Sequence, residues 1–330
     1  MSTSLHPVFV EMVPFRIKPL FVGRVWGWND LRPWYDEVAK QEPIGEVWLT
    51  ADESEVATGP HSGKTLGEIF SQYPYAMLGN DALRTDSPLL IKVIFAREKL
   101  SVQVHPDDRL AQKYGEHNGK TECWYALTAE PGAQVALGLK SGVTMDAIRA
   151  GIANDTLEQS LNVVPIQTGD MVFVDAGTVH AIWPGSVLLE TQQFSDITYR
   201  MYDYGRGREL HIDKSIEATR LETSAGKISP KALSDRIILV EGRYFAVEKI
   251  PVHVSRSSKS LLRAEEPGQG LAYLFAAAGS GRLSSPSFES IDLPARGMVA
   301  VPASSPVFAI QDLGGLDLIR ITPRWPGQNS

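Results

Sequence analysis

The sequence predicts a mainly β protein, built as a jelly roll or barrel and not as a doubly wound sheet. Short apolar or alternating segments follow one another along most of the chain, separated by glycine and proline. No Gly-x-Gly-x-x-Gly follows a strand and no phosphate loop ending in Gly-Lys-Ser/Thr occurs, so the nucleotide turns of α/β folds are missing. A glycine–strand–turn unit at 169–176 is echoed at 297–303, where Gly297-Met298-Val299-Ala300-Val301-Pro302 repeats the rhythm without a histidine. Two related barrels are therefore expected, one equipped with chemistry and one stripped of it.

The elements follow in order. Predicted strands in the first part are 9–13, 46–50, 89–96, 100–105, 122–127, 134–139, 171–174 and 187–192. Helical spacing is confined to three stretches. Residues 65–78 place Leu66, Ile69, Phe70 and Tyr73 on one face, and 144–161 do the same with Met145, Ile148, Ile152 and Leu157. Residues 107–114 open on an acidic cap after Pro106 and stop at Gly115. Between 223 and 236 Ser, Gly, Lys and Pro replace the apolar rhythm, and strands resume at 244–250, 271–277, 298–301 and 316–321. The expected division is a metal-binding catalytic domain over 1–235, carrying the short helices, and a degenerate domain over 236–330 without metal ligands.

Composition narrows the function. A chain of 330 residues with 43% hydrophobic and 22% charged residues buries a substantial core and reads as an ordinary soluble protein. A net charge of −7 argues against a nucleic-acid partner, which needs a basic footprint. The run 88–95 is interrupted by Lys92 and is too short to span a bilayer, and residues 1–19 show no secretory signal pattern. A single cysteine, Cys123, excludes an internal disulfide and fits a reducing, cytoplasmic setting.

The chemistry gathers around His180. An apolar strand at 171–174 runs through a glycine turn at Gly177 and delivers His180 just beyond it. Upstream, alternation along a strand puts Gln103 and His105 on one face and Val102 and Val104 on the other. The same rule groups Lys120, Glu122 and Trp124, with Thr121 and Cys123 behind, so Cys123 reads as core and not as a nucleophile. Two imidazoles, a carboxylate and an amide oxygen form a ligand set that suits zinc, with manganese, iron and cobalt as competitors. Taken singly, either histidine has a plain structural explanation; taken together with Gly177 they point to a metal on the inner wall of a barrel.

Residues 169–180 resemble the second cupin motif, Gly-x5-Pro-x-Gly-x2-His, with Asp175 at the proline position. More specifically, 100–108, 119–125, 176–181 and 190–206 are similar to the type I mannose-6-phosphate isomerases, as are Pro43-Ile44-Gly45-Glu46-Val47-Trp48 and the second barrel. The resemblance covers nearly the whole chain and is nearest to the short bacterial form. It implies two cupin-type jelly-roll barrels with a few short helices inserted in the first. It also implies zinc-dependent interconversion of mannose 6-phosphate and fructose 6-phosphate through an enediolate. By the same resemblance Gln103, His105, Glu122 and His180 match the ligands of one Zn2+ per chain, with other divalent metals able to substitute.

Arg200 matches the arginine assigned to catalysis, and Lys92 and Lys120 match lysines lining the substrate pocket. Lys120, on the ligand face, is grouped with Arg200 for catalysis, and Lys92 and Glu190 with the phosphorylated hexose; either lysine suits the phosphate. Glu190, His105 and a metal-bound water stay open as the proton-transfer group. The chain departs from the family at Asp175, at Ile182-Trp183-Pro184 and at Trp28, which takes the place of a second glycine. Trp26, Trp28 and Trp34 are read as core.

Two rivals are a non-catalytic cupin that binds a sugar phosphate or metal, and an iron-dependent cupin dioxygenase. Arg200 and both lysines beside four intact ligands favour the isomerase over the first. The pair Gln103 and His105, where a dioxygenase shows two histidines, counts against the second. A monomer or small homo-oligomer is expected.

Overall fold

The computed structural model describes residues 11–79, 86–252 and 270–325. The chain divides into two compact units. A central unit holds Phe21–Trp48 and Leu89–Ser229, and a terminal unit holds Met1–Leu20, Leu49–Pro88 and Pro230–Ser330. This grouping differs from a division at 235/236, because the two early segments join the terminal unit. Phe15–Ile17 shows why: it pairs with Met298–Val301 in the register Phe15↔Ala300.

Among the described residues the strand registers are antiparallel, and each unit holds two sheets. In the central unit a seven-stranded sheet runs in the order Gly226–Ile228, Met171–Val174, Glu122–Ala129, Ser186–Gln193, Leu89–Ala96, Ile44–Trp48, Leu20–Trp28. Opposite it lies a five-stranded sheet of Tyr199–Tyr202, Val102–Val104, His180–Ile182, Gln134–Leu139 and Leu161–Pro165. The inner faces meet in one core, in which Ile94, Trp124 and Leu188 of the larger sheet pack with Val135, Leu137 and Ile182 of the smaller. The outer face of the smaller sheet is covered by the helices Met145–Ala153 and Ile212–Ala218, which bury Val102, Val104, Tyr199 and Met201. Alternation therefore forces Gln103 inward, away from the helices.

The terminal unit pairs seven strands, Phe15–Ile17, Met298–Val301, Ala272–Ala278, Asp317–Pro323, Phe245–Pro251, Ile237–Glu241 and Lys231–Ala232, with a sheet of Phe288–Leu293, Gly281–Ser285 and Ala309–Asp312. Its core includes Ile250, Leu274, Leu283, Leu293, Val299, Ile310 and Leu318. The sequence echo has a structural counterpart. Met171–Val174 and Met298–Val301 each stand second from the edge of the seven-stranded sheet of their unit.

Apolar runs buried on both faces form strands where the sequence places them: Leu89–Ala96, Gln134–Leu139, Met171–Val174 and Met298–Val301. Other expectations need correction. The strand expected at 9–13 begins outside the described residues, and 11–14 are irregular; the ladder starts at Phe15, after Pro14, which has no N–H to donate. The helix expected over 65–78 is two helices, Leu66–Gln72 and Pro74–Leu78, because Pro74 forces Tyr73 out of the helical region. Thr65 and Glu68 close a capping box on the first. The helix expected over 144–161 ends at Ala153, since Asp155 turns to φ 55°, and a short 3-10 turn at Leu157–Ser160 leads into a strand. His253 lies outside the described residues. No helix among the described residues is long and apolar enough to cross a membrane.

Strand Leu20–Trp28 lies against Ile44–Trp48 so closely that a Cβ on Gly27 would meet Ile44 C at 2.3 Å and Gly45 N at 2.4 Å. Backbone gives way less readily than a side chain. Gly27→Ala is expected to cost roughly 2 kcal/mol or more, read as a lower urea midpoint.

Candidate metal centre and cavity

The candidate metal-ligating side chains come from both sheets of the central unit. Gln103 and His180 are Cα partners across adjacent strands, and Gln103 is likewise paired with Arg200 on its other side. His105 follows the Val102–Val104 strand and is tied to the His180 turn, because Gly177 donates its N–H to the His105 carbonyl at 2.8 Å. Gly177 has φ 91°, and a Cβ there would strike the Arg220 side chain at 2.7 Å, so this tight turn requires glycine. Glu122 enters from the opposite sheet, as the first residue of Glu122–Ala129.

The geometry fits a divalent metal. Donor atoms of His105, Glu122 and His180 all lie within 4.8 Å of one another, and all three residues are buried. Glu122 Oε2 is 3.5 Å from His105 Nε2, and Oε1 is 3.4 Å from His180 Nε2. Thr178 O accepts the Nδ1–H of His180 at 2.9 Å, which leaves Nε2 with its lone pair facing the cluster. Burial holds both imidazoles neutral: His180 falls to about 4, and His105 is driven well below its ordinary value by burial and by Lys120. Both ring nitrogens of His105 and Oε2 of Glu122 are buried without a well-formed hydrogen bond. Orphaned buried polar atoms of this kind are costly unless something binds them. The Gln103 amide nitrogen stands 3.2 Å from His180 Nε2 while its oxygen accepts from Ser101. A half-turn of that amide presents the oxygen as a fourth ligand.

Beside the cluster opens a cavity of about 500 Å³ whose wall includes Glu46, Lys92, Gln103, Lys120, Glu190 and Arg200. Inside it, charges alternate. Arg24 is 2.9 Å from Glu46, and Glu46 is 3.7 Å from Lys92. Lys92 is 3.0 Å from Glu190, which is 4.0 Å from Lys120, itself 3.5 Å from Glu122. Lys92 is thus no solvated edge residue; it is 3% exposed. Burial would push its ammonium down, but Glu190 and Glu46 outweigh burial and raise it. Glu190 moves up, through burial and the Glu122 charge, against the pull of both lysines. Cys123 is buried in the core, and burial drives its thiol up, away from nucleophilic use.

Arg200 donates Nη1 to the Glu209 carbonyl at 2.7 Å, and its buried Nε has no partner. Trp26 both packs in the core and lines the cavity, whereas Trp28 and Trp34 form T-shaped pairs with Phe95, ring centroids 5.5 and 5.9 Å apart. Sequence reasoning missed Arg24 and Arg208 and gave Glu46 no role. The usable signal for Glu46 was its period-two spacing to Trp48, whose Nε1 donates to it at 2.7 Å.

The phosphomannose isomerase type I catalytic domain matches residues 16–134. Mannose-6-phosphate isomerase of Streptococcus mutans is 34% identical over 276 residues, covering 77% of this chain and 86% of that protein. The chain belongs to the type I mannose-6-phosphate isomerase family. Another relative, mannose-6-phosphate isomerase ManA of Bacillus subtilis, is 35% identical over 74% of this chain and 82% of its own length. A crystal structure of the Bacillus subtilis mannose 6-phosphate isomerase superposes with a TM-score of 0.82 at 30% identity, covering 94% of this chain and 99% of that one. The phosphomannose isomerase of Salmonella typhimurium, 16% identical with a TM-score of 0.75, shares the fold. The family's catalytic-domain match spans Lys92, Gln103, His105, Lys120 and Glu122, while His180, Glu190 and Arg200 lie beyond it.

Glu46 gives a pH prediction. Burial would raise its carboxyl, but Lys92, Arg24 and Trp48 overcome that and hold it at about 2. A carboxyl depressed in the fold stabilises fully above its unfolded value near 4.5 and loses this as pH falls towards 2. Glu46→Gln should therefore cost about 3 kcal/mol at neutral pH. Urea denaturation at several pH values should show this gap constant above pH 5 and shrinking below about 4.5.

Proposed function

We propose that the chain interconverts mannose 6-phosphate and fructose 6-phosphate by proton transfer through an enediolate, with one zinc ion held by Gln103, His105, Glu122 and His180. The observation that carries this is the buried His105–Glu122–His180 cluster beside a cavity whose wall also holds Lys120, Glu190 and Arg200. Zinc bound there supplies Lewis-acid charge for an oxygen that becomes negative.

The remaining work falls to the chain's own groups. A proton leaves C2 of the open-chain aldose and returns at C1, the O2 hydroxyl proton passes to O1, and in between the charge rests on oxygen. Arg200 offers a permanent positive charge with an uncommitted Nε–H, suited to an oxygen that is more negative in the transition state than in the substrate. Lys120, between Glu122 and Glu190, donates hydrogen bonds to the sugar oxygens. Lys92 and Glu190 form the floor against which the sugar is oriented. The upward displacement of Glu190 is the direction a group needs to take and return a proton near neutral pH. The cytoplasm suits a chain whose single cysteine, Cys123, is buried and reduced.

A coupled assay on chelator-stripped protein, with and without added zinc, tests the reading. Zinc-restored turnover of mannose 6-phosphate is expected, and tight metal uptake without turnover would favour a binding protein. His180→Ala should remove metal and activity together. Arg200→Ala should keep the metal while kcat falls by about 10²- to 10³-fold. An effect confined to KM would make Arg200 a binding group only.

A further inference from the structure

The lysines of the cavity are poor seats for a dianion. Lys92 Nζ lies 3.0 Å from Glu190 and 3.7 Å from Glu46, and Lys120 Nζ lies 3.5 Å from Glu122 and 4.0 Å from Glu190. A phosphate against either ammonium would also stand close to two carboxylates. Arg24 is committed in the same way, to Glu46 and to the Gly23 carbonyl.

Elsewhere on the cavity wall the balance is reversed. Arg200 and Arg208 both line the cavity. Among the described residues no ion pair joins Arg200 to a carboxylate, and its buried Nε is unpartnered. Arg208 gives Nε and Nη2 to Asp203 at 2.8 and 2.5 Å, which leaves Nη1 uncommitted. Arg206 gives its Nη2 to the same carboxylate at 2.9 Å. Two guanidiniums therefore share one buried carboxylate, the exposed Glu98 standing 4.0 Å from Arg206, and Arg200 adds a third positive charge without an ion pair. Arg208 is, after burial, the main influence that makes Arg200 harder to keep protonated, as expected of like charges held together. Glu42 and Asp196 also line the cavity but are exposed and screened by water.

The segment that carries Arg208 is held under strain. Tyr204 sits at φ 56°, with Gly205 at 75° and Gly207 at 76°. A tyrosine rarely adopts this left-handed conformation unless its surroundings impose it. Here the Tyr204 hydroxyl donates to Glu158 at 2.8 Å, and its ring lies under Lys99 and Arg206 at 5.4 and 5.3 Å. The result fixes Asp203 and, through it, the direction of Arg208.

We propose that Arg208, aimed by Asp203 and the Tyr204 turn, anchors the phosphate of the substrate and leaves Arg200, Lys92 and Lys120 for the sugar end. This rests on the sugar-phosphate reading above. Asp203 and Tyr204 are positioning residues, and Arg208 is the specificity-determining one.

The test is made on zinc-loaded protein, with inorganic phosphate as probe, by calorimetric titration and as a competitive inhibitor. Arg208→Gln should weaken phosphate binding roughly 10- to 100-fold, the loss expected for a charge-assisted bond to a dianion. It should raise KM for mannose 6-phosphate in parallel and lower the preference for that substrate over unphosphorylated mannose by a similar factor. Arg208→Lys, which keeps the charge but not the forked donor, should recover part of the loss and carries the test if the glutamine variant does not fold. Phosphate affinity and KM within twofold of the parent in a folded variant would overturn the proposal. Phosphate binding that depends on Arg208 in a protein that never isomerises the sugar would support the anchor and sink the isomerase reading.

Discussion

One buried carboxylate organises the site. Glu122 is 1% exposed and faces His105, His180, Lys120 and the Trp124 indole at once. A carboxylate removed from water needs opposite charge or strong donors around it. Lys120 and Trp124 meet part of that need, and Oε2 is left without a hydrogen bond beside two neutral imidazoles. A divalent cation is a partner that this arrangement fits. The two sheets are what make it possible, since Glu122 comes from one while Gln103 and His180 come from the other.

The same logic extends outward. From Glu122 the charges alternate through Lys120, Glu190, Lys92 and Glu46 to Arg24, so each buried ion is flanked by its opposite. Such a row is weak as a source of net stability but strict about geometry, because losing any member leaves a neighbour buried and unpaired. It also divides the labour of the cavity. The row is electrically complete and suits neutral hydroxyls, whereas Arg206 and Arg208, sharing the single Asp203 carboxylate, carry surplus charge. A phosphorylated sugar has both kinds of group, at opposite ends.

Much of this was legible in the sequence, for identifiable reasons. Strands buried on both faces, such as Leu89–Ala96, read as unbroken apolar runs, and the rare buried charge within one, Lys92, marks the site. Gln103, Glu122 and His180 were accessible because period-two alternation is rigid and Gly177 announces the turn. Leu20–Trp28 was hidden by its two glycines and Arg24, and Ile212–Ala218 by its shortness. The pairing of Phe15–Ile17 with Met298–Val301 spans nearly the whole chain and leaves no local trace. Arg24, Glu46 and Arg208 escaped notice for a related reason. Each looks like an ordinary surface charge until strand order, or for Arg208 the Tyr204 turn, brings it to the cavity.

The central claim is that His105, Glu122 and His180, with Gln103, hold a metal through nitrogen and oxygen alone. The zinc-edge X-ray absorption spectrum of the zinc-loaded protein tests it most directly. Two imidazole nitrogens and oxygen donors at about 2.0–2.2 Å are expected, lost together in a Glu122→Gln, His180→Ala double variant. A sulfur shell near 2.3 Å, which would bring in Cys123, or a spectrum unchanged in that variant, would contradict it.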